Sequence, residues 1–152
     1  MTLARRIAGQ PRPRKLHRGG WNNYVPTLTQ GGGNATKTVV QAYWRPVDGE
    51  ISVTIVLAID GPGTAVSNNP ILVGLPVPAF DATGGPIVGV GRVFDASGPA
   101  AMRAIARLAS TTTVDLEQTQ NVTAVKLGQS GSNFTTFASG DTMQLHLRYR
   151  PA

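Results

Sequence analysis

Apolar and polar residues alternate with a period of two along most of this chain, the signature of strands whose two faces meet different surroundings. In EISVTIVLAI (50–59), Ile51, Val53, Ile55, Leu57 and Ile59 share one side, and Ser52, Thr54, Val56 and Ala58 share the other. That second side is half apolar, which predicts cover on both. GDTMQLHLRYR (140–150) separates more cleanly, with Met143, Leu145, Leu147 and Tyr149 opposite Thr142, Gln144, His146 and Arg148, a core face and a wet one. Further strands are expected in TKTVVQAYWRP (36–46), PILVGLP (70–76), PIVGVGRVFD (86–95), TTTVDLEQ (111–118) and NVTAVKLG (121–128). Gly61-Pro62-Gly63, Asn68-Asn69-Pro70, Gly84-Gly85-Pro86, Ser97-Gly98-Pro99 and Ser130-Gly131-Ser132 punctuate them, because Gly supplies positive φ and Pro fixes φ.

One segment is ambiguous. In PAAMRAIARLAS (99–110), a helix opened by Pro99 would turn Met102, Ile105 and Leu108 or Ala109 inward, whereas a strand would align Met102, Ala104, Ala106 and Leu108. The strand neighbours on either side favour the strand. In LPVPA (75–79) two prolines two residues apart mark a sheet edge or an exit from the sheet. The pattern predicts about seven to nine strands with no βαβ alternation and no fixed repeat. The economical architecture is all-β, an antiparallel jelly-roll-like β-sandwich over residues 21–152.

Composition agrees with this, since 18 Gly and 11 Pro accompany a charged fraction of only 14% in 152 residues. A chain of this length can bury one ordinary core without staples. The absence of cysteine excludes disulfides, thiolate metal sites and a Cys nucleophile, and it fits synthesis in a reducing compartment. The longest apolar run, ISVTIVLAI, has nine residues and is interrupted by Ser52 and Thr54, well short of the roughly eighteen that a membrane helix requires. No membrane partner is expected.

Charge changes the picture most. The net charge of +6 is carried by the first twenty residues, where Arg5, Arg6, Arg12, Arg14, Lys15 and Arg18 face no acidic side chain. The remaining eight basic residues match the eight acidic ones, so the body is neutral. An arm of Arg, Lys, Gly, Pro and Gln buries too little to offset its ordering entropy, and residues 1–20 are expected to order only on a partner. Arg5-Arg6 precede no apolar stretch, so they do not read as a twin-arginine signal.

Catalytic constellations are weak. GGGNATKT (31–38) misses a phosphate-binding P-loop by one residue, Thr36 standing where glycine is needed, and it precedes a strand and not a helix; an inter-strand loop is expected there. His17 lies in the arm, His146 is alone on a polar strand face, and no GxSxG elbow occurs. Asp48/Glu50 and Asp115/Glu117 have the i, i+2 spacing of a shared strand face, but Asp48 sits at a turn and Glu117 is expected to pair with a neighbouring basic residue. The expectation is a non-enzyme, without cofactor or bound metal. Trp21, Tyr24, Tyr43 and Trp44 cluster in the first part of the chain. Core and strand-edge packing is the plain account of them, and a platform for stacking sugar rings is the sharper one.

Five fragments, GWNNYVPTLTQ (20–30), AYWRPVDGEISVTIVLAI (42–59), ILVGLPVPA (71–79), VGVGRVFDASG (88–98) and FASGDTMQLHLRYRP (137–151), occur in a distinctive order. In that order the chain resembles small β-sandwich domains of tailed-bacteriophage virion proteins, such as minor tail, fibre, head-fibre and decoration components. The family pattern has an aromatic-Pro-Thr opening strand, a Tyr-x-Arg-x-Gly hairpin, an LP-x-P strand and a closing GD strand ending in Tyr. Here Arg45-Pro46-Val47-Asp48-Gly49 replaces the tighter Arg-x-Gly turn, which leaves the register of that hairpin open. The resemblance implies a noncatalytic virion protein on capsid or tail, partnered by other virion proteins, with homotrimers common. It also implies that the basic arm docks on another virion protein and that the exposed loops or aromatics contact a host-surface glycan. Packaged nucleic acid is the arm's rival partner. A free carbohydrate-binding module and a nucleic-acid-binding protein are the rival functions.

Overall fold

The computed structural model describes residues 20–98, 100–120 and 123–152. The arm residues Arg5, Arg6, Arg12, Arg14, Lys15 and Arg18, together with Pro99, lie outside the described residues. Within them the secondary structure is strand and turn without helix: β1 Asn22–Asn23, β2 Leu28–Gln30, β3 Gly33–Asn34, β4 Thr36–Val47, β5 Glu50–Gly61, β6 Ile71–Gly74, β7 Ile87–Asp95, β8 Ala100–Leu108, β9 Thr113–Gln120, β10 Thr123–Lys126 and β11 Thr142–Tyr149. The ambiguous segment is strand β8. Met102, Ala104, Ala106 and Leu108 are buried together, as alternation requires.

All pairs of named strands are antiparallel, in the order β1-β4-β5-β11-β7-β8-β9-β6-β2-β3, with β10 on β9. The last strand, β11, is inserted between β5 and β7. The fold is therefore an all-β antiparallel sheet that curls on itself, and jelly-roll connectivity does not follow from this order alone.

The β4–β5 hairpin closes through Asp48 and Gly49, both at positive φ (50° and 84°), a two-residue turn whose twist suits the flanking strands. It sets Val47 opposite Glu50 and resolves the register that the Arg-Pro-Val-Asp-Gly sequence left open. Pro46 is tolerated because β1 pairs β4 only at Tyr43 and Trp44, leaving that edge unpaired at Pro46. The GGGNATKT stretch, expected as an inter-strand loop, is instead mostly strand: Gly31 and Gly32 form a turn, Gly33–Asn34 is β3, and β4 begins at Thr36 after Ala35. β6 stops at Gly74, so Pro76 and Pro78 lie beyond the sheet ladder, as their spacing predicts.

The curl encloses one core. Ile51, Val53, Ile55 and Leu57 of β5 stand opposite Tyr149, Leu147, Leu145 and Met143 of β11, and all eight are buried. Gly91 of β7 leaves room for this layer, since a Cβ there would lie 2.5 Å from Leu145 Cδ2 and 3.4 Å from Leu116 Cδ2 of β9. Leu116 thus packs across the interior against the β7–β11 region. Phe134 and Phe137, from the irregular stretch before β11, fill the core as an edge-to-face pair with ring centroids 5.5 Å apart. The outermost strands of the ladder path, β1 and β3, have two residues each, and β4 carries a register shift between Val39 and Gln41. Short and bulged edges of this kind resist edge-to-edge pairing with other chains.

Candidate functional site

The side of the sheet away from the core carries the side chains available for recognition. Strand pairing aligns them in a row running from Tyr43 (β4) through Thr54 (β5), His146 (β11), Val90 (β7) and Ile105 (β8) to Glu117 (β9), each directly opposite the next. A parallel row places Val56, Gln144, Arg92 and Arg103 in the same manner. The two rows line an open groove of about 580 Å³, with Val90, Ile105, His146 and Glu117 from one row, Arg92, Arg103 and Gln144 from the other, and Gly91 and Ala104 between them. Val90 is 59% exposed in the middle of the sheet, where none of the described residues covers it.

A second hollow of about 320 Å³ is lined by Trp21, Tyr43 and Thr54. Thr54 Oγ1 lies 3.4 Å from His146 Nδ1, so the two hollows meet at that pair. The four aromatics of the candidate stacking platform therefore divide. Trp21 (47% exposed) and Tyr43 (36%) face outward, while Tyr24 and Trp44 pack against the core. The division follows from period two, since Tyr43 and Trp44 are consecutive on β4 and must point to opposite sides. One face of the Trp21 ring is covered by the Arg45 guanidinium, 4.5 Å from its centroid.

The acidic residues have structural work elsewhere. Asp115 pairs with Lys126 at 2.6 Å, Glu117 with Arg107 at 3.3 Å, and Glu50 with Arg148. The expectation for Glu117 is met. Asp141 is buried and accepts the backbone N–H groups of Ala96 (2.9 Å) and Ala138 (2.7 Å). Asp95 accepts from the Ser97 hydroxyl at 2.6 Å and from backbone N–H groups of its turn, which holds its carboxyl below the usual range. The Thr83 N–H does the same for Asp81. Asp48 closes its hairpin, and Asp60 accepts from Thr38. The i, i+2 carboxylate pairs are thus committed to turns and cross-strand ion pairs.

Among the described residues, the side-chain hydrogen bond of His146 is to Thr54, and no group of three or more His, Asp or Glu side chains is placed to hold a metal ion. No helix of the described residues is long and apolar enough to cross a membrane. Sequence reading missed the Arg92–Arg103 juxtaposition. The two residues are directly opposite on β7 and β8, line the same groove, and have no ion-pair partner among the described residues. Comparison with protein-family models, with curated proteins and with solved structures found no match to this chain.

Proposed function

We propose that this chain is a noncatalytic structural protein of a tailed-bacteriophage virion, a jelly-roll-like β-sandwich held to capsid or tail by its basic arm. Its sheet face, or the loops beside it, is turned to the host surface. The observation that carries this reading is the outward row on the sheet. A rigid, hydrogen-bonded scaffold exposes Trp21, Tyr43 and Val90 in one continuous surface, while the carboxylates are spent on turns and ion pairs. Such a surface suits recognition and offers no matched nucleophile, base and acid. The order of sequence fragments supplies the virion assignment, and self-association into a trimer is part of the same proposal.

The arm's role is tested by deleting residues 1–18 and measuring incorporation into particles by mass spectrometry. The truncated protein is expected to fold and to be missing from particles, because the neutral body offers little charge complementarity. Retention in DNA-free shells of the intact protein separates a protein partner from packaged DNA. Full incorporation of the truncated chain overturns arm docking, and absence of the intact chain from purified particles overturns the virion reading altogether. A second reading, a carbohydrate-binding module, is favoured by the hollow between Trp21 and Tyr43.

A further inference from the structure

Arg92 and Arg103 present a problem of electrostatics. Like charges directly opposite on adjacent strands repel, and such pairs weaken a sheet unless something neutralises them. With as many acids as bases from residue 19 onward, this chain contains enough carboxylates to do so, yet those nearest are engaged elsewhere. Glu117, on the rim of the same groove, is held by Arg107, whose Nε also donates to Gly85 O at 2.8 Å. Two arginines therefore line an open groove of about 580 Å³ together with the aliphatic side chains of Val90 and Ile105. That volume is within the usual range of small-ligand sites, roughly 300–1,000 Å³.

We infer that this groove binds the carboxylated ring of an acidic oligosaccharide, whose next rings cross the strands to the hollow beside Tyr43 and Trp21. A guanidinium pair is suited to a carboxylate by charge and by its fork of donors. The exposed aliphatic side chain of Val90, with Ile105 beside it, suits the C–H face of a pyranose, and Gln144, His146 and Glu117 offer donors and acceptors to its hydroxyls. The span fits as well: from Val90 to Tyr43 the row crosses β7, β11, β5 and β4, three strand spacings or about 14 Å. An acidic peptide adding as a strand would need a free sheet edge, and this groove lies in the middle of the sheet. A nucleic acid strand would need free basic residues spread along its path, whereas Arg107 and Arg148 are held in ion pairs and Arg45 lies against the Trp21 ring.

The inference rests on the glycan-contact part of the proposed function and is tested apart from the virion assignment. The full chain, labelled with ¹⁵N, is titrated with a tetrasaccharide alternating glucuronate and N-acetylglucosamine, and separately with uncharged chitotetraose. Saturable shifts are expected at the amides of residues 90–92, 103–105 and 43–45, with the acidic sugar bound about tenfold more tightly. R92Q/R103Q is expected to erase that difference, and Y43A to weaken both sugars alike. Raised salt is expected to weaken only the acidic sugar in the unmodified protein, a comparison that stands even if the double variant fails to fold. Equal affinity for the two sugars, no saturation with either, shifts confined to other residues, or tighter binding of an octathymidylate at the same amides would each overturn the inference. None of these outcomes touches detection of the chain in purified particles, so the two readings fail separately.

Discussion

Gln30 and Gly128, 98 residues apart, are joined inside the protein: the Gln30 side-chain Nε2 donates to Gly128 O at 3.1 Å. The same amide is shared with Asn69 O (3.0 Å) and Thr135 O (2.9 Å), so one fully buried polar side chain ties together two loop segments, one before β6 and one between β10 and β11. Gly128 in turn has φ +95°, and a Cβ there would lie 2.3 Å from Asn69 O and 2.9 Å from Gln30 Nε2.

Gln30→Leu is expected to lower stability by about 1–3 kcal/mol, the cost of taking this donor from Gly128 O and Asn69 O, although Thr135 O keeps the Asn68 N–H and the variant also removes the unpartnered, buried Gln30 Oε1. Urea unfolding followed by circular dichroism measures this. G128A should be more damaging than Gln30→Leu, since its backbone conformation disfavours a side chain and the space is already filled. A Gln30→Leu variant as stable as the parent would show that solvent reaches those carbonyls.

Phe134→Ala is expected to cost about 3–5 kcal/mol, the range for emptying a buried aromatic site. The residue is buried and packed edge-to-face against Phe137, yet it comes from a turn-rich stretch and not from a strand. A loss below about 1 kcal/mol in urea unfolding would mean that this stretch adds little to the folded core.

Two ion pairs should behave differently. Glu50 and Arg148 are both largely exposed, and E50Q should change stability by less than about 1 kcal/mol. Asp115 is buried against the half-exposed Lys126, and D115A would remove that ion pair and leave an empty buried site, a loss of about 1–3 kcal/mol. Denaturant midpoints of the two variants at neutral pH make the comparison, and equal losses would contradict it.

Alkaline pH should destabilise the fold through its buried phenols. Burial pushes the Tyr149 hydroxyl up to about 12, and raises that of Tyr24 as well. Above the ordinary phenol range the unfolded chain loses protons that the folded chain keeps, so unfolding is favoured as pH rises. The contribution of Tyr149 is intact below about pH 10 and declines between about 10 and 12. Y149F should lose some stability at neutral pH with the hydrogen bond to Val77 O (2.8 Å), and should show a shallower alkaline decline than the parent. Urea midpoints across this pH window test both slopes.

How far the sequence carries the fold can be argued from these residues. Period two was enough for β5 and β11, because their buried faces alternate strictly, and it favoured β8 once the neighbouring strands were counted. It could not place β11 between β5 and β7, since that pairing joins segments distant in sequence and leaves no local trace. Phe134 and Phe137 were hidden among Gly, Ser and Thr, where no period exists. Gln30 looked like an ordinary polar strand end and is fully buried. The division of Tyr43 from Trp44 was legible, as neighbours on one strand must diverge. The meeting of Arg92 and Arg103 required the β7–β8 register, which becomes readable only when β8 is accepted as a strand.

The opposed aromatics give the last prediction. Trp21 is 47% exposed with Arg45 on one ring face, whereas Trp44 packs against the core. Since these are the only two tryptophans, each single Phe replacement isolates the other's fluorescence. In W44F the remaining Trp21 should emit at longer wavelength and be readily quenched by acrylamide; in W21F the remaining Trp44 should emit to the blue and resist quenching. W21A should leave the unfolding midpoint nearly unchanged, within about 0.5 kcal/mol for an exposed position, while W44A should lose more than about 1 kcal/mol through lost packing. Binding should follow the reverse order, with chitotetraose affinity reduced in W21A and kept in W44F, because only the outward ring can meet a sugar. Equal quenching of the two tryptophans, or loss of sugar binding in W44F with Trp21 intact, would show that the aromatic platform is not the outward pair.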